Sequence, residues 1–502
     1  MSFNHPWTSR RRSVLLAALA AGLLLRLFFL WRYSRVTNDG LLYGDIAQNL
    51  LHHHIYGFSE TLPNGHPQIR PTLIRLPGYP LFLAACFSAF GSGNFTAVMG
   101  VQVVLDLCTC LLLAATARRI FSPAAGTCAL WLAVLCPFMA NYVAAPLTET
   151  PTLFCMALAF YAFARWQQAG ALLNRWILAL GFALAWAVLL RPEQGLLAAA
   201  IVPAMLWTSF QPSFQPSFKP SFRPSFQPSQ KPSLQPSFRP SQRQALIPKL
   251  SSLTPALAVA FLTILPLIPW TARNRHTFHI FQPLAPRNAN DPGERIPVGF
   301  QRWFRTWGVD FASTDQAYWR YDGDTISIAD LPNRAFDSNQ QYAATAALLN
   351  VYNQATTATP ALDARFAALA DARIHADPLR YYLALPVARV LNMVFRPRVD
   401  FLPVPLEWWK FRQHPAATLF AGAYALLNLA YLLAAALAVF RRRWQPVWSS
   451  LVCAMLATIA LRIAVLLTID NSEPRYTLEF YPVLIILASL TLSGLTASKA
   501  SL

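Results

Sequence analysis

Asp39 is the residue that asks for a chemical explanation. It stands in "TNDGLLYGDIAQNLL" (37–51), just after an apolar run. At 100° per residue it shares a narrow arc with Tyr43, Ile46 and Leu50, while Asp45, Gln48 and His52 fall on the far side. A carboxylate is thereby put on the apolar face of a helix. An acid in apolar surroundings has a raised pKa and exchanges protons near neutrality, which suits a general base. The same residue type also caps helices, and Asn38 or Asp39 precedes the helix that begins near Leu41. Capping and catalysis both stay open at this stage.

Arginines recur at the ends of apolar runs: Arg191 in "LLRPEQG", Arg273 and Arg275 in "IPWTARNRH", and Arg475 in "DNSEPRYTLEFYP". A bundle that gathers guanidinium groups at one membrane surface has a natural ligand in an anionic lipid phosphate, whose oxygens match the planar fork. For any one of them the plain alternative is snorkelling to a headgroup. Acids lie at the same level: Asp39, Asp45, Glu149 in "PLTETP", Glu193, Asp470 and Glu473. The run "HHH" (52–54) invites a metal reading, but consecutive histidines point to different faces of a helix, and no nearby Cys or Glu completes a set.

The elements that must position these residues are membrane helices. The chain has 502 residues, 55% hydrophobic against 13% charged, with apolar runs near the length needed to cross a bilayer. The fold class is an all-α polytopic membrane protein. Candidate spans are 13–31, 95–117, 123–139, 150–166, 173–190, 195–208, 250–270, 415–440, 446–469 and 476–496. Counting from a cytoplasmic start, the basic groups Arg10–Arg12, Arg118–Arg119, Arg165 with Arg175, 209–249 and Arg441–Arg443 all fall inside. That parity puts 32–94 and 271–414 on the outer side.

The formal charge of +19 does not imply nucleic acid, since the basic residues flank spans or sit in one repeat. All seven cysteines lie in apolar segments and read as packing residues rather than disulfides or zinc ligands. The start, "SRRRSVLLAALAAGLLLRLFFLW", has the basic and apolar parts of a signal peptide without a small-x-small cleavage site, and is expected to stay as an anchor.

The chain divides into an N-terminal membrane module (1–208) with its first outer loop (32–94), a linker (209–249), a span (250–270), an outer region (271–414) and C-terminal spans (415–502). The linker repeats a Pro-Ser-containing tetrapeptide, and proline every fourth residue forbids helix and ladder, so an extended cytoplasmic segment is expected. Its PxxP spacing matches SH3-type ligands, but a tolerated tandem expansion is the simpler reading. The runs 79–90 and 381–395 are expected to lie in the outer interface. A helix is expected near 333–376, within a cap that selects the acceptor. Its tryptophans would be exposed in a carbohydrate platform and buried in a small domain.

Read in order, "DGLLYGDIAQNLL", "RLPGYPLFLAACFSAFG", "LTETPTLF", "LLRPEQGLL", "PWTARN" and "PRYTLEFYPVLIIL" resemble the type C (GT-C) membrane glycosyltransferases. The resemblance is greatest to bacterial relatives of the dolichyl-phosphate-mannose protein mannosyltransferases and the lipid A aminoarabinose transferase. In that family the first outer loop carries an Asp-acid-x-x-Tyr pattern followed by Ile-Ala. Asp39, Tyr43, Asp45, Ile46 and Ala47 match, while Gly40 stands where the second acid is common.

The resemblance implies that Asp39 is the catalytic base in an inverting transfer of sugar from a polyprenyl-phosphate carrier to an acceptor hydroxyl. Arg475 and Tyr476, then Arg273, then Arg191 are expected to hold the donor phosphate, with Tyr43, Asp45, Glu149 and Glu193 supporting the acceptor side. A monophosphate leaving group held by arginine needs no obligatory metal or other cofactor. The implied partners are the polyprenyl-phosphate sugar, a protein, lipid or glycan acceptor and membrane lipid, with no nucleic acid. The implied setting is a bacterial inner membrane with chemistry on the periplasmic side. The rival classes are a lipid or glycan transporter or flippase, which more often shows paired repeats with broken helices, and a relative that binds lipid without turnover.

Overall fold

The computed structural model describes residues 9–62, 64–211, 250–442 and 449–499. The Pro/Ser linker expected at 209–249 lies outside the described residues beyond position 211.

The first half runs α1 (Ser9–Tyr33), α2 (Asn38–His53), a hairpin of β1 (Gly57–Thr61) and β2 (Pro67–Pro71), α3 (Gly78–Phe90), α4 (Phe95–Ile120), α5 (Pro123–Val134), α6 (Pro137–Tyr142), α7 (Glu149–Ala169), α8 (Arg175–Leu190) and α9 (Gly195–Phe210). After the linker come α10 (Thr254–Ile264) and α11 (Leu267–Phe278). Then follow α12 (Val298–Arg305), α13 (Phe311–Ser313), α14 (Asn339–Asn353), α15 (Pro360–Ala376), α16 (Leu385–Phe395), α17 (Pro415–Arg442), α18 (Ser450–Leu466) and α19 (Tyr481–Lys499).

The result is an all-α multi-pass membrane bundle. Among the described residues, five stretches are long and apolar enough to cross a membrane: Arg12–Tyr33, Phe95–Ile120, Thr254–Phe278, Pro415–Arg441 and Pro474–Gly494. Four shorter apolar helices pack among them: Gly78–Phe90, Pro123–Val134, Arg175–Leu190 and Ser450–Leu466. The ten expected spans are thus not ten uninterrupted helices. The expected 123–139 stops at Leu135 and restarts at Pro137, because proline supplies no amide hydrogen to the preceding turn. The expected 250–270 runs on through Arg273 to Phe278.

Burial orders the bundle. The stretch containing α19 is 83% buried, against 22% for those of α1 and α17, so α19 is the central post. A large apolar cluster of Phe160, Phe163, Trp166, Tyr481 and Ile485 surrounds it. Fully buried Arg26 of α1 donates from Nε to Asp106 Oδ2 of α4 at 2.7 Å, and from its NH1 to Val134 O at 2.5 Å and Gly22 O at 3.0 Å. It also reaches Ala133 O at 3.3 Å, which already accepts from Cys136 N, so this arginine meets the carbonyl of Val134 where α5 breaks and adds a second donor to its neighbour.

The outer region builds its own core. Phe300 stacks on Tyr321 with centroids 3.7 Å apart, and Trp303, Trp307, Tyr352 and Phe366 close around them. Trp303 and Trp307 are fully buried, which settles the choice between platform and small domain in favour of a cap for these two residues. Gly299 is required at its base, because a Cβ there would lie 2.0 Å from Asp363 O. Asp363 accepts from the amides of Gly299 and Phe300 at 3.0 and 2.9 Å and so caps α12. The single helix expected over 333–376 is two, α14 and α15, separated at Thr356 with φ 49 and restarted by Pro360. Beside the cap, α16 turns Arg389 inward to Gly308 O at 3.0 Å and leaves Leu391 and Phe395 exposed.

Candidate active site

Thr37, not Asn38 or Asp39, caps α2: its hydroxyl accepts from Gly40 N at 3.2 Å. The carboxylate of Asp39 is therefore left for other partners. Its Oδ1 receives Arg75 at 3.2 Å and its Oδ2 receives Arg475 NH1 at 2.8 Å. Arg475 also donates through Nε to Glu473, whose other oxygen accepts from Tyr476 OH at 2.8 Å and Asn471 at 3.2 Å. All three members of the Arg75–Asp39–Arg475 set keep about a quarter of the side chain accessible, whereas Glu473 is buried behind them.

The electrostatics reverse the raised pKa expected for Asp39. Burial does push it up, but the positive charges of Arg475 and Arg75 outweigh burial and hold it below the ordinary carboxylate value. The group is ionised at neutral pH.

Behind this front set lies a second, more buried network of two arginines and three glutamates. Arg191 meets Glu149 at 3.2 Å, Glu193 at 2.9 Å and Glu479 at 3.5 Å, while Arg462 meets Glu193 at 3.2 Å and Glu479 at 3.4 Å. Burial would raise the pKa of Glu193, yet Arg191 and Arg462 bring it down to about 2. Arg462 Nε also donates to Tyr476 O at 3.2 Å, so the short helix Pro474–Phe480 ties both networks together.

The other residues singled out by sequence hold the frame. Asp45 accepts from Ser59 N at 2.7 Å and Ser59 Oγ at 2.6 Å, docking the hairpin onto α2. Arg273 donates to Tyr56 O and Thr72 O, both at 2.7 Å, bracketing the hairpin's open end, and lies over Tyr56, Trp270 and Phe278. Tyr43 packs edge-on to Tyr79 at 5.0 Å with Arg75 over its ring at 5.9 Å. Of the histidines, His54 ends α2 with φ 57 and His52 meets Ser92 at 3.2 Å. Among the described residues no group of three His, Cys, Asp or Glu is placed to hold a metal.

Arg75, Arg462 and Glu479 were not singled out from sequence. Arg75 was legible as an outer-side arginine two residues before the Pro-Gly-Tyr-Pro start of α3, and the other two as charges inside apolar spans. Close approach also matters. A Cβ on Gly78 would lie 2.5 Å from Leu189 C, so its absence brings α3 against the end of α8 beside Arg191. A Cβ on Gly40 would lie 3.0 Å from both Pro146 O and Pro146 Cγ, so the segment leading to Glu149 occupies the space a second acid would need.

Residues 66–219 match the family model described as dolichyl-phosphate-mannose-protein mannosyltransferase. No curated protein sequence matches. Among solved structures, the archaeal oligosaccharyltransferase AglB of Archaeoglobus fulgidus, in complex with an inhibitory peptide and a dolichol-phosphate, aligns at 13% identity and a TM-score of 0.49, over 97% of this chain and 50% of that one. ArnT of Cupriavidus metallidurans, bound to undecaprenyl phosphate, aligns at 14% identity and a TM-score of 0.39, over 97% of this chain and 79% of that one. This chain therefore spans about half the length of the archaeal enzyme. The family match falls on the stretch that carries Arg75, Glu149 and Arg191, and over residues 66–219 the chain is similar to the dolichyl-phosphate-mannose-protein mannosyltransferases.

Proposed function

We propose that this protein transfers a sugar from a polyprenyl-phosphate carrier to an acceptor hydroxyl, with inversion, at the outer face of a bacterial inner membrane. The observation that carries the reading is Asp39 held between Arg75 and Arg475 at a partly open surface. Two guanidinium forks around one carboxylate form a place where a phosphate diester can take over the arginines.

The same exchange would tune the base. With both arginines turned to phosphate, Asp39 loses the charges that lower its pKa and becomes a better proton acceptor. The acceptor hydroxyl oxygen then bonds to the anomeric carbon as the carbon–oxygen bond to phosphate breaks. The hydroxyl proton passes to Asp39 and the electron pair leaves with polyprenyl phosphate. Arg75 and Arg475 offset the charge that grows on that leaving group. The Arg191–Arg462 network positions Pro474–Phe480, and Glu473 orients Arg475.

The test is purified protein reconstituted with a panel of radiolabelled polyprenyl-phosphate sugars and acceptor-containing membrane extract, read as release of polyprenyl phosphate. Release by the native chain that is lost in Asp39→Asn is the expected result. Equal release by both would remove Asp39 from the mechanism, and lipid movement between leaflets without release would replace the transferase with a transporter.

A further inference from the structure

Acid and base are segregated along the sequence to an unusual degree. No Asp or Glu occurs between Asp106 and Glu149, between Glu149 and Glu193, between Glu193 and Asp291, or between Glu407 and Asp470. Those intervals contain the ends of α4, α7 and α8 that lie farthest from Asp39, since Phe95, Glu149 and Arg191 mark the opposite ends of these three helices. Among the described residues, these far ends of α4, α7 and α8 therefore carry no Asp or Glu.

Three arginines nonetheless converge there. Arg119 of α4 lies over the ring of Tyr161 at 4.8 Å, Arg165 of α7 over Trp176 at 4.8 Å, and Arg175 of α8 over the same Trp176 ring at 5.2 Å. Tyr161 and Trp176 meet edge-to-face at 5.5 Å, so the rings space the charges while keeping them together. Arg119 and Arg165 are close enough to repel one another. Arg119 donates from NH1 to Ala115 O at 3.2 Å, whereas the Nε groups of both arginines are buried and lack hydrogen-bond partners among the described residues. Cation–π contact orients each guanidinium but satisfies none of its N–H groups in the ring plane.

The surface beside the cluster supplies the rest of a ligand's outline. Arg175, Leu178 and Phe182 share one stripe of α8 at spacings of three and four. Leu178 is 64% and Phe182 57% exposed. Charge at the membrane surface gives way directly to an open apolar ladder running into the bilayer, which is the head-to-tail order of a phospholipid.

We propose that Arg119, Arg165 and Arg175, spaced by Tyr161 and Trp176, bind the phosphate headgroup of an anionic phospholipid in the leaflet opposite Asp39, with its acyl chains along Leu178 and Phe182. The site is separate from the donor site by the length of the helices and does not depend on the transferase reading.

Native mass spectrometry of the full chain released from vesicles of phosphatidylglycerol or of phosphatidylcholine tests it. The expected result is retained phosphatidylglycerol on the native chain, reduced roughly tenfold or more in Arg119→Gln/Arg165→Gln. A control with the same charge change on exposed cap residues, Arg295→Gln/Arg365→Gln, keeps the lipid. Arg119→Lys/Arg165→Lys, which preserves charge but not planar stacking, is expected to fold as the native chain does and to lose part of the binding. Equal retention in the glutamine and native forms overturns the proposal, as does equal loss in the cap control. Displacement by excess soluble glycerol phosphate would also overturn it, assigning the cluster to a soluble anion.

Discussion

Asp39 and Arg475 are 436 positions apart in the chain and meet at 2.8 Å. One stands in the first turn of α2 and the other in the short helix that leads into the central post α19, so the pair closes the site only when the two ends of the bundle have packed. Arg75, from the loop before α3, completes the grip on the same carboxylate at 3.2 Å.

Removing the fork should separate charge from geometry. Arg475→Lys keeps a positive charge near Asp39 but gives up the second donor that reaches Glu473. Steady-state kinetics should show the donor KM rising roughly tenfold for Lys and further for Arg475→Ala, with kcat falling as well in the latter. Unchanged constants in both variants would take Arg475 away from the donor.

The acid limb of kcat/KM should lie below the usual carboxylate range. Burial raises the pKa of Asp39, but Arg475 and Arg75 more than reverse this. Arg75→Gln should move the limb upward, and an unmoved limb would show that the pair does not set it. Stability follows the same sign: for carboxylates lowered on folding, the contribution is fully present above the unfolded value of about 4. It is lost as pH falls through the folded values, about 2 for Glu193.

Placing a second acid at position 40 should fail in this chain. Gly40→Asp would drive a Cβ to 3.0 Å from Pro146 O and Cγ, and Gly40→Ala carries the same clash. Both should lower thermal stability, by about 1–3 kcal/mol, and lower turnover with it. A Gly40→Asp chain as stable and active as the native one would show that Pro146 yields.

Arg273 distinguishes frame from donor site. Arg273→Gln leaves two backbone carbonyls of the hairpin boundary without their partner, at a cost of about 1–3 kcal/mol. Melting should shift while the donor KM of the folded fraction stays constant. A changed KM with unchanged melting would return Arg273 to the phosphate.

The cap should report on the site through one threonine. Thr314 Oγ1 accepts from Ser472 N at 3.1 Å and donates to Ser472 O at 3.4 Å, while Arg305 meets Asp470 at 3.2 Å, so the cap holds the loop that enters Glu473 and Arg475. Thr314→Val should raise hydrogen exchange across 468–475 and reduce turnover several-fold with the cap core still folded. Exchange confined to the cap would break that link.

Part of this arrangement is legible in the amino-acid sequence itself. The apolar stripe through Asp39, Tyr43 and Ile46 and the arginines at span ends led to Asp39 and Arg475 because a charge that contradicts its surroundings stands out locally. The hairpin at 57–71 was not foreseen, although Asn64–Gly65 supplies its turn with φ 80 at Gly65. Partner choice was illegible for a different reason. Arg191, Arg273 and Arg475 look alike in sequence, yet one is matched with glutamates, one with carbonyls and one with Asp39, and only tertiary distance decides which. The pKa of Asp39 was misread because apolar neighbours in the chain are visible to sequence and Arg75, 36 positions on, is not visibly near.

Arg26 carries a last consequence, for how the protein is made. An arginine near the middle of an isolated span costs about 2.5–3.5 kcal/mol to insert. Its counter-charge, Asp106, is synthesised 80 residues later, and the carbonyls of Ala133 and Val134 more than 100 residues later. Helix α1 thus leaves the insertion machinery with an unmet charge and gains from lingering beside it until α4 and α5 arrive. The buried pair turns the order of synthesis into an order of assembly, in which α1 is made before its partners and must wait for them.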